Sequence, residues 1–542
     1  MKAPRSFSGS LAIALLAALV LGLVETTLIV THRVTGVDPF HYVPGRIWLY
    51  VPLAWLAIAA IVAIPVCALW RRRGAGIALA ILVAVFVGCR VAVSSRKWAV
   101  VVVVAVFLVL FWIMSRVPPP QPPRPRVWLS VLLVLMACGA IVLFERRPVS
   151  PAEKGAAEGP NVLVVFADTL RHDAVFLPDG TVRPELPALR RLAGDSTVYD
   201  RAYAASSWTL PSHFAAVTGL EAHQLGLDFD HQKFEKPVLT LAERFRRKGY
   251  RTSAVISNPF LNEASGFPRG FEAYEHAARV LDLCRTAPLV LLGQVWPRFA
   301  GTVCGWSASQ VTGRALRHMN DGAAPWLVVL NYMEAHDPSY LEPECRAGAP
   351  RRHNTVLTLQ VREAPLYHAA VRCLDRSLGN LFARAAASRR ETVVVFTSDH
   401  GEHLHERGFM GHGQTLYPEV LHVPLIVQRP AGARTRVSDP VSLTQLVPLL
   451  TSPNLTIAPK PVVISTLAHS QKRARRREIS VIRGPWQLIT SEGGREELLD
   501  LRTGTAVLRS PLLPQLRIDT AAVQRAWPRL PDSDFRSIGY IQ

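Results

Sequence analysis

The hydrophobic pattern of the 542-residue chain changes near residue 150. Before that point apolar residues come in long unbroken runs, at 11–30, 47–70, 77–93, 98–114 and 127–144. Each run is about what a helix needs to cross a ~30 Å hydrocarbon core. The pattern predicts an all-α membrane domain of five transmembrane helices over residues 1–145. A cleaved signal peptide is the rival reading of the first run, and four further runs behind it favour a retained helix. A polar Pro/Gly/Ala linker follows at 146–160. Beyond it, short and almost continuously apolar runs at 161–168, 251–257, 326–333, 392–399 and 424–428 alternate with helix-like stretches such as 237–248 and 367–387. Strands buried on both faces of a parallel sheet read this way. The prediction is an α/β domain over 161–475, with a mostly parallel sheet and helices on both faces. Residues 477–483 and 486–491 instead alternate around Gly484 and Pro485. They predict a small antiparallel subdomain over 476–542.

Charge orients the membrane half. Lys2 and Arg5 precede the first run, Arg71, Arg72 and Arg73 follow the second, and Arg116, Arg124 and Arg126 precede the fifth. With five spans these residues share one side and outweigh Arg96, Lys97, Arg146 and Arg147 on the other. The positive-inside rule then predicts a multi-pass protein of the inner or plasma membrane, with everything after residue 145 on the extracytoplasmic side. Trp48, Trp98 and Trp128 near run ends suit interfacial anchoring. The formal net charge is +20. No zinc-finger, basic-zipper or RNA-binding signature accompanies it, so the charge points to the lipid bilayer and not to nucleic acid. Cys67, Cys89 and Cys138 lie in apolar runs, while Cys284, Cys304, Cys345 and Cys373 lie in the polar half. In an oxidising compartment those four allow one or two disulfides, with the pairing open.

Two of the predicted strands end in aspartate, Asp168 and Asp399, and His400 follows the second. Ligands of such sheets bind at the carboxyl ends of the strands. One aspartate there could simply cap the next helix; two of them, one in tandem with histidine, point to a divalent metal site. A mixed oxygen and nitrogen donor set suits zinc or manganese better than calcium. Glu402, His403, His405 and His412 follow in a glycine-containing loop. In the segment SSWTLPSHFAAVTG, residues 206–219, Pro211 suits the first turn of a helix and Gly219 its C-terminal end. Thr209 then sits at or just before a helix N-terminus, where free N–H groups favour negative charge. It is either an N-cap or a nucleophile activated by the metal.

Four stretches, in this order, carry a family resemblance: NVLVVFADTLRHD (161–173), TLPSHFAAVTG (209–219), NYMEAHDPSY (331–340) and SDHGEHLHERGFMGHGQTLYPE (398–419). With Leu499, Asp500 and Leu501 and the ending at 538–541, they resemble the sulfatase family of the alkaline-phosphatase-like superfamily. The resemblance implies an alkaline-phosphatase-like fold. It implies that Asp168, Asp399 and His400 are metal ligands and that Thr209 is the nucleophile and also touches the metal. It implies that His336 and His412 hold the anionic group, with His213, which falls where sulfatases have arginine, and Arg171 as further substrate-binding residues. Thr209 cannot form the formylglycine that sulfatases make from Cys or Ser. Thr169 replaces the usual second aspartate, and His400 stands where calcium-type sulfatases often have asparagine. These departures resemble the lipoteichoic acid synthases and phosphoethanolamine transferases, which also place an exported domain after five spans. The resemblance thus implies manganese or zinc before calcium or magnesium, and a membrane lipid or cell-envelope glycan substrate. A hydrolase with water as acceptor and a catalytically inactive receptor or scaffold stay open as alternatives.

Overall fold

A computed structural model describes residues 18, 20, 21 and 158–527, less 229–230, 278–305, 337–344, 346–363, 431, 433, 453, 454, 456, 458, 459, 472 and 473. Apart from residues 18, 20 and 21, the five expected spans lie outside the described residues, as do Cys284, Cys304 and the ending at 538–541. Among the described residues no helix is long and apolar enough to cross a membrane.

The strands of the main domain are β1 (Asn161–Ala167), β2 (Thr197–Tyr203), β3 (Arg251–Ile256), β4 (Ala273–His276), β5 (Trp326–Tyr332), β6 (Thr392–Thr397), β7 (His403–Leu404), β8 (Met410–Gly411), β9 (His422–Gln428), β10 (Thr435–Val437) and β11 (Val441–Ser442). The large sheet runs β10, β2, β9, β6, β1, β5, β3, β4, with β11 also on β2. Its centre is parallel, as the unbroken apolar runs predict: β1 lies between β5 and β6, and β3 continues outward from β5. Along β1, Val162, Val164 and Phe166 enter the core on one face, while Leu163, Val165 and Ala167 enter the core on the other. That two-residue alternation is why a doubly buried strand shows no polar period.

Strand β9 departs from the parallel expectation. It runs antiparallel to both β6 and β2. The chain passes from the end of β6 to the start of β9 with only short elements between, so it re-enters the sheet at the same edge. A parallel return would need a crossover connection, usually a helix.

Helices α1 (Pro187–Gly194), α2 (Thr209–Thr218), α3 (Leu241–Arg247), α4 (Ala308–His318) and α5 (Ala364–Ala386) cover the sheet. Buried residues of α2 and α3, such as Phe214 and Phe245, join one core. Those of α1, α4 and α5, such as Leu189, Val311 and Leu374, join the other. Helix α5 is also joined to the segment beyond β5 by a disulfide between Cys345 and Cys373, with Cα atoms 5.4 Å apart.

The C-terminal subdomain is larger than the hairpin read from its pattern, and it starts earlier than residue 476. Strands β12 (Val463–Gln471), β13 (Ala474–Arg483), β14 (Trp486–Ser491), β15 (Glu496–Asp500) and β16 (Thr505–Val507) form a five-stranded antiparallel sheet. Helix α6 (Leu513–Ala526) packs on it through Leu516 and Val523. Hydrogen bonds hold it to the main domain, among them two: Gln487 Nε2 donates to the Leu416 carbonyl at 2.7 Å, and the Thr466 N–H donates to the Ala205 carbonyl at 2.9 Å. The second link lies four residues before Thr209.

Candidate metal and nucleophile site

The register of the central strands sets the site. Phe166 of β1 pairs with Thr397 of β6, so Asp168 and Asp399, each two residues further on, leave the sheet at the same level. Asp168, Asp399 and His400 are wholly buried. One ligand-competent atom from each lies within 4.8 Å of the others. Asp168 Oδ1 is buried without a hydrogen-bond partner, and Asp399 Oδ2 has only the imidazole nitrogens of His213 and His400 beside it, at 3.2 and 3.3 Å. Buried carboxylate oxygens in that state are costly unless a cation meets them. The donor set therefore fits a divalent metal.

The other polar groups around the triad fix its geometry. Asp168 Oδ2 accepts from Asn258 Nδ2 at 2.7 Å and from Asn331 Nδ2 at 3.1 Å. Asp399 Oδ1 accepts the Thr169 N–H at 3.2 Å. Thr169 reaches that position with φ of 58°, in the left-handed region. Non-glycine residues rarely adopt it, and it marks a backbone held by its surroundings. His400 Nδ1 lies 2.9 Å from the Gly401 carbonyl and donates its proton there. Its Nε2 is then the nitrogen left to face the site, the arrangement that a metal-ligating histidine needs.

Burial and the Asp399 carboxylate raise the Asp168 carboxyl above the usual carboxylate range. Burial works against ionisation of Asp399 too, but His400 and His213 beside it outweigh burial and hold it low. For His213 burial disfavours the charged ring, and the Asp399 and Asp168 carboxylates more than reverse this. Asp168 and His213 thus report the carboxylates beside them, and Asp399 the imidazoles beside it.

Thr209 is the first residue of α2, at the end of the sheet where the triad sits. Every residue of that helix is buried, and Gly219 closes it with φ of 80°. The Thr209 hydroxyl lies 3.4 Å from His400 Nε2 and 3.4 Å from Asn258 Nδ2. Its side chain does not cap the helix: the residue in the N-cap position is Trp208. Ser212, one turn on, donates to the Asp399 carbonyl at 2.5 Å and ties α2 to the metal loop.

Above the triad the imidazoles of His400, His412 and His336 follow one another, with ring centroids 4.4 Å and 5.0 Å apart. His412 Nδ1 faces both oxygens of Glu402, at 3.2 and 3.3 Å. Glu402 is wholly buried.

Two further residues expected to touch substrate, Arg171 and His213, have protein partners at the site. The Arg171 guanidinium is taken up by Asp173 at 2.6 Å, by Glu406 and by the Glu402 carbonyl at 3.2 Å. It braces the loop that carries Glu402, with Asp173 and Glu406 balancing its charge. His213 is wholly buried beneath the triad. Its Nδ1 lies 3.0 Å from the Thr209 carbonyl and 3.2 Å from Asp399 Oδ2, and its Nε2 lies 3.4 Å from Asn331. Its position one turn after Thr209 on a fully buried helix directs it inward.

Asn258 and Asn331 were not singled out by sequence reasoning. Asn331 had a visible signal, a polar side chain inside the otherwise apolar strand β5. Asn258 had a weaker one, two residues beyond the end of β3.

Comparison with known proteins agrees with this geometry. The sulfatase family profile matches residues 160–452. The chain is 25% identical over 339 residues to "Uncharacterized sulfatase YidJ" of Escherichia coli, covering 54% of this chain and 67% of that one. It is 23% identical over 376 residues to human iduronate 2-sulfatase, covering 58% of this chain and 66% of that one. The chain thus spans about two thirds of the length of these relatives. The fold is similar to that of a phosphonate monoester hydrolase of Agrobacterium radiobacter, with TM-score 0.51, 16% identity, and coverage of 68% of this chain and 95% of that one. The chain belongs to the sulfatase family, an enzyme family of the alkaline-phosphatase-like superfamily.

Proposed function

We propose that the protein is a metal-dependent enzyme of phosphate or sulfate esters in which Thr209 is the nucleophile. One observation carries the reading: the Thr209 hydroxyl, at the start of α2, lies 3.4 Å from His400 Nε2, beside the buried Asp168, Asp399 and His400 cluster. A divalent metal held by Asp168, Asp399 and His400 supplies positive charge there, favouring the deprotonated form of a nearby hydroxyl and offsetting charge on the ester oxygens. The chain's own groups do the rest. Thr209 gives up its hydroxyl proton to water, and Oγ1 forms a bond to phosphorus or sulfur. The bond to the leaving oxygen breaks, and that oxygen keeps the electron pair. His412, whose Nδ1–H points at the Glu402 carboxylate, protonates the leaving oxygen from its other nitrogen. His336 binds the anionic group. In the second half His412 takes the proton of the incoming hydroxyl as that oxygen displaces Oγ1.

The apolar runs before residue 145 support an extracytoplasmic domain anchored in the plasma membrane. They make a membrane lipid or an envelope glycan the natural substrate, and a phosphodiester the natural linkage. Manganese or zinc suits the two-carboxylate, one-imidazole set better than calcium or magnesium does. A second reading, with water as the acceptor, draws support from the hydrolase named for the similar structure and from the sulfatase names of the relatives.

The test is intact mass spectrometry of the full-length protein in detergent, with manganese and vesicles of phosphatidylethanolamine and phosphatidylglycerol. The expected result is a mass increase that maps to Thr209 and is absent in Thr209→Ala. Wild-type turnover of bis(p-nitrophenyl) phosphate or p-nitrophenyl sulfate by Thr209→Ala would overturn the nucleophile.

A further inference from the structure

Asn258 lies outside the four sequence motifs, yet every polar atom it owns is used. Its N–H donates to Asn331 Oδ1 at 2.8 Å, and its carbonyl accepts from Leu261 at 3.2 Å and sits 2.9 Å from His276 Nε2. Its side-chain Oδ1 accepts the Phe260 N–H at 2.9 Å. That last bond settles the orientation of the amide, because a main-chain N–H can only be met by the oxygen. The NH2 end must therefore face the site. One of its protons reaches Asp168 Oδ2 at 2.7 Å, and the amine nitrogen lies 3.4 Å from Thr209 Oγ1. The residue is 1% exposed, so no bulk water competes for either contact.

We infer that Asn258 is a further catalytic residue: its side-chain N–H donates to Thr209 Oγ1 and stabilises the negative charge that this oxygen carries as it attacks. An amide donor cannot act as a base, so its contribution is electrostatic. A donor held rigidly in a dry site needs no reorganisation when the charge develops. The same amide ties Thr209 to Asp168, so the nucleophile and a metal ligand share one anchor. Asn331 offers the contrast. Its side chain donates to the same Asp168 oxygen, but its other side-chain contacts go to Asn258 and His213 and not to Thr209.

The inference rests on Thr209 as nucleophile, and the experiment separates the two. Asn258→Ala, Asn331→Ala and Thr209→Ala are made in the full-length protein. Turnover of bis(p-nitrophenyl) phosphate and of p-nitrophenyl sulfate is measured across a manganese titration. At saturating manganese Asn258→Ala is expected to lose about ten- to a hundredfold in kcat, the range for one hydrogen bond to a charged group, with KM little changed. Asn331→Ala is expected to recover more of its kcat at high manganese than Asn258→Ala does, since its side chain touches Asp168, Asn258 and His213 but not Thr209. In a Thr209→Ala background, Asn258→Ala should cost nothing more. If Asn258→Ala matches Asn331→Ala, or regains wild-type kcat at high manganese, Asn258 only positions Asp168 and the inference fails while Thr209 stands. If Thr209→Ala is as active as wild type, or wild type turns over neither compound, the parent reading fails and takes this one with it. Should Asn258→Ala not fold, Asn258→Ser keeps a short acceptor for the Phe260 N–H and carries the same comparison.

Discussion

The hydroxyl of Tyr367 bridges the two peptide groups that flank the turn after β1: it donates to the Thr169 carbonyl at 2.8 Å and accepts the Arg171 N–H at 2.9 Å. Tyr367 is on α5 and wholly buried. A side chain almost 200 positions away thus holds Thr169 in its left-handed conformation, and with it the direction of Asp168. Tyr367→Phe leaves a buried carbonyl and a buried N–H without their partner. It is expected to lower stability by about 1–3 kcal/mol. It should also shrink the rise in Tm produced by manganese, because that rise reports binding to a formed site. Thermal unfolding of both proteins with and without manganese checks this, and equal manganese shifts would show that Tyr367 does not act on the site.

Gly401 follows His400 and has room for no side chain. A Cβ there would meet the Glu419 carbonyl oxygen at 2.2 Å and Arg171 Cγ at 3.2 Å. The close approach exists because Gly401 and Glu402 donate their N–H groups to the carbonyls of Val420 and Glu419, at 2.9 and 3.1 Å. Gly401→Ala must push those strands of chain apart, moving His400 and Glu402 together. A loss of roughly 1–3 kcal/mol is expected, the scale of an overpacked core, along with weakened manganese binding. Calorimetric titration with manganese is the direct measurement.

The Cys345–Cys373 bridge closes a stretch of chain with a sequence separation of 28. A loop of that size restricts the unfolded chain by about 3–4 kcal/mol in the chain-entropy account. It also ties α5, which carries Tyr367, to Cys345. Cys373→Ser, or mild reduction of the native protein, should lower Tm by several degrees. An unchanged Tm after complete reduction would show that the bridge adds nothing to stability.

Glu275, at the end of β4, meets His318, Arg314 and Arg317 from α4, with contacts of 2.8, 2.8 and 3.2 Å. The hydrogen bond from His318 leads, and with the arginines it overcomes partial burial and lowers the Glu275 carboxyl to about 2. A carboxylate with a depressed folded-state value contributes its stability above its unfolded value of 4.5 and loses it as pH falls toward about 2. The side chain is 25% exposed, so the contribution after solvent screening is on the order of 1–2 kcal/mol. Wild type should therefore exceed Glu275→Gln in stability at pH 6, with the lead fading between pH 5 and pH 2. A lead that stays constant with pH would point to packing and not to charge.

Much of this protein can be read from its residues in order. The unbroken apolar runs that became β1, β3, β5 and β6 announce a doubly covered parallel sheet, because a strand packed on both faces has no polar side to show. The aspartates at the exits of β1 and β6, with His400 next in line, mark the candidate metal cluster, since ligand sites of such sheets collect at strand ends. Pro211 and Gly219 likewise bracket a helix whose first residue is Thr209. All of these are local signals, carried by residue type and spacing.

What the sequence left open is set by partners far along the chain. The antiparallel return of β9 depends on which edge of the sheet the loop after β6 reaches. The early start of the C-terminal sheet depends on the pairing of β12 with β13. Arg171 has the chemistry of a substrate-binding residue, and only folding brings Asp173, Glu406 and the Glu402 carbonyl around it. His213 has the spacing of one, and only the burial of all of α2 turns it inward. Asn258 has only a weak local signal, its place just past β3, because the atoms that give it meaning belong to Asp168 and Thr209, 90 and 49 positions away. Residue type and period determine which elements form and where reactive groups leave them; distances between groups on different elements are decided by packing, which no one-dimensional pattern records.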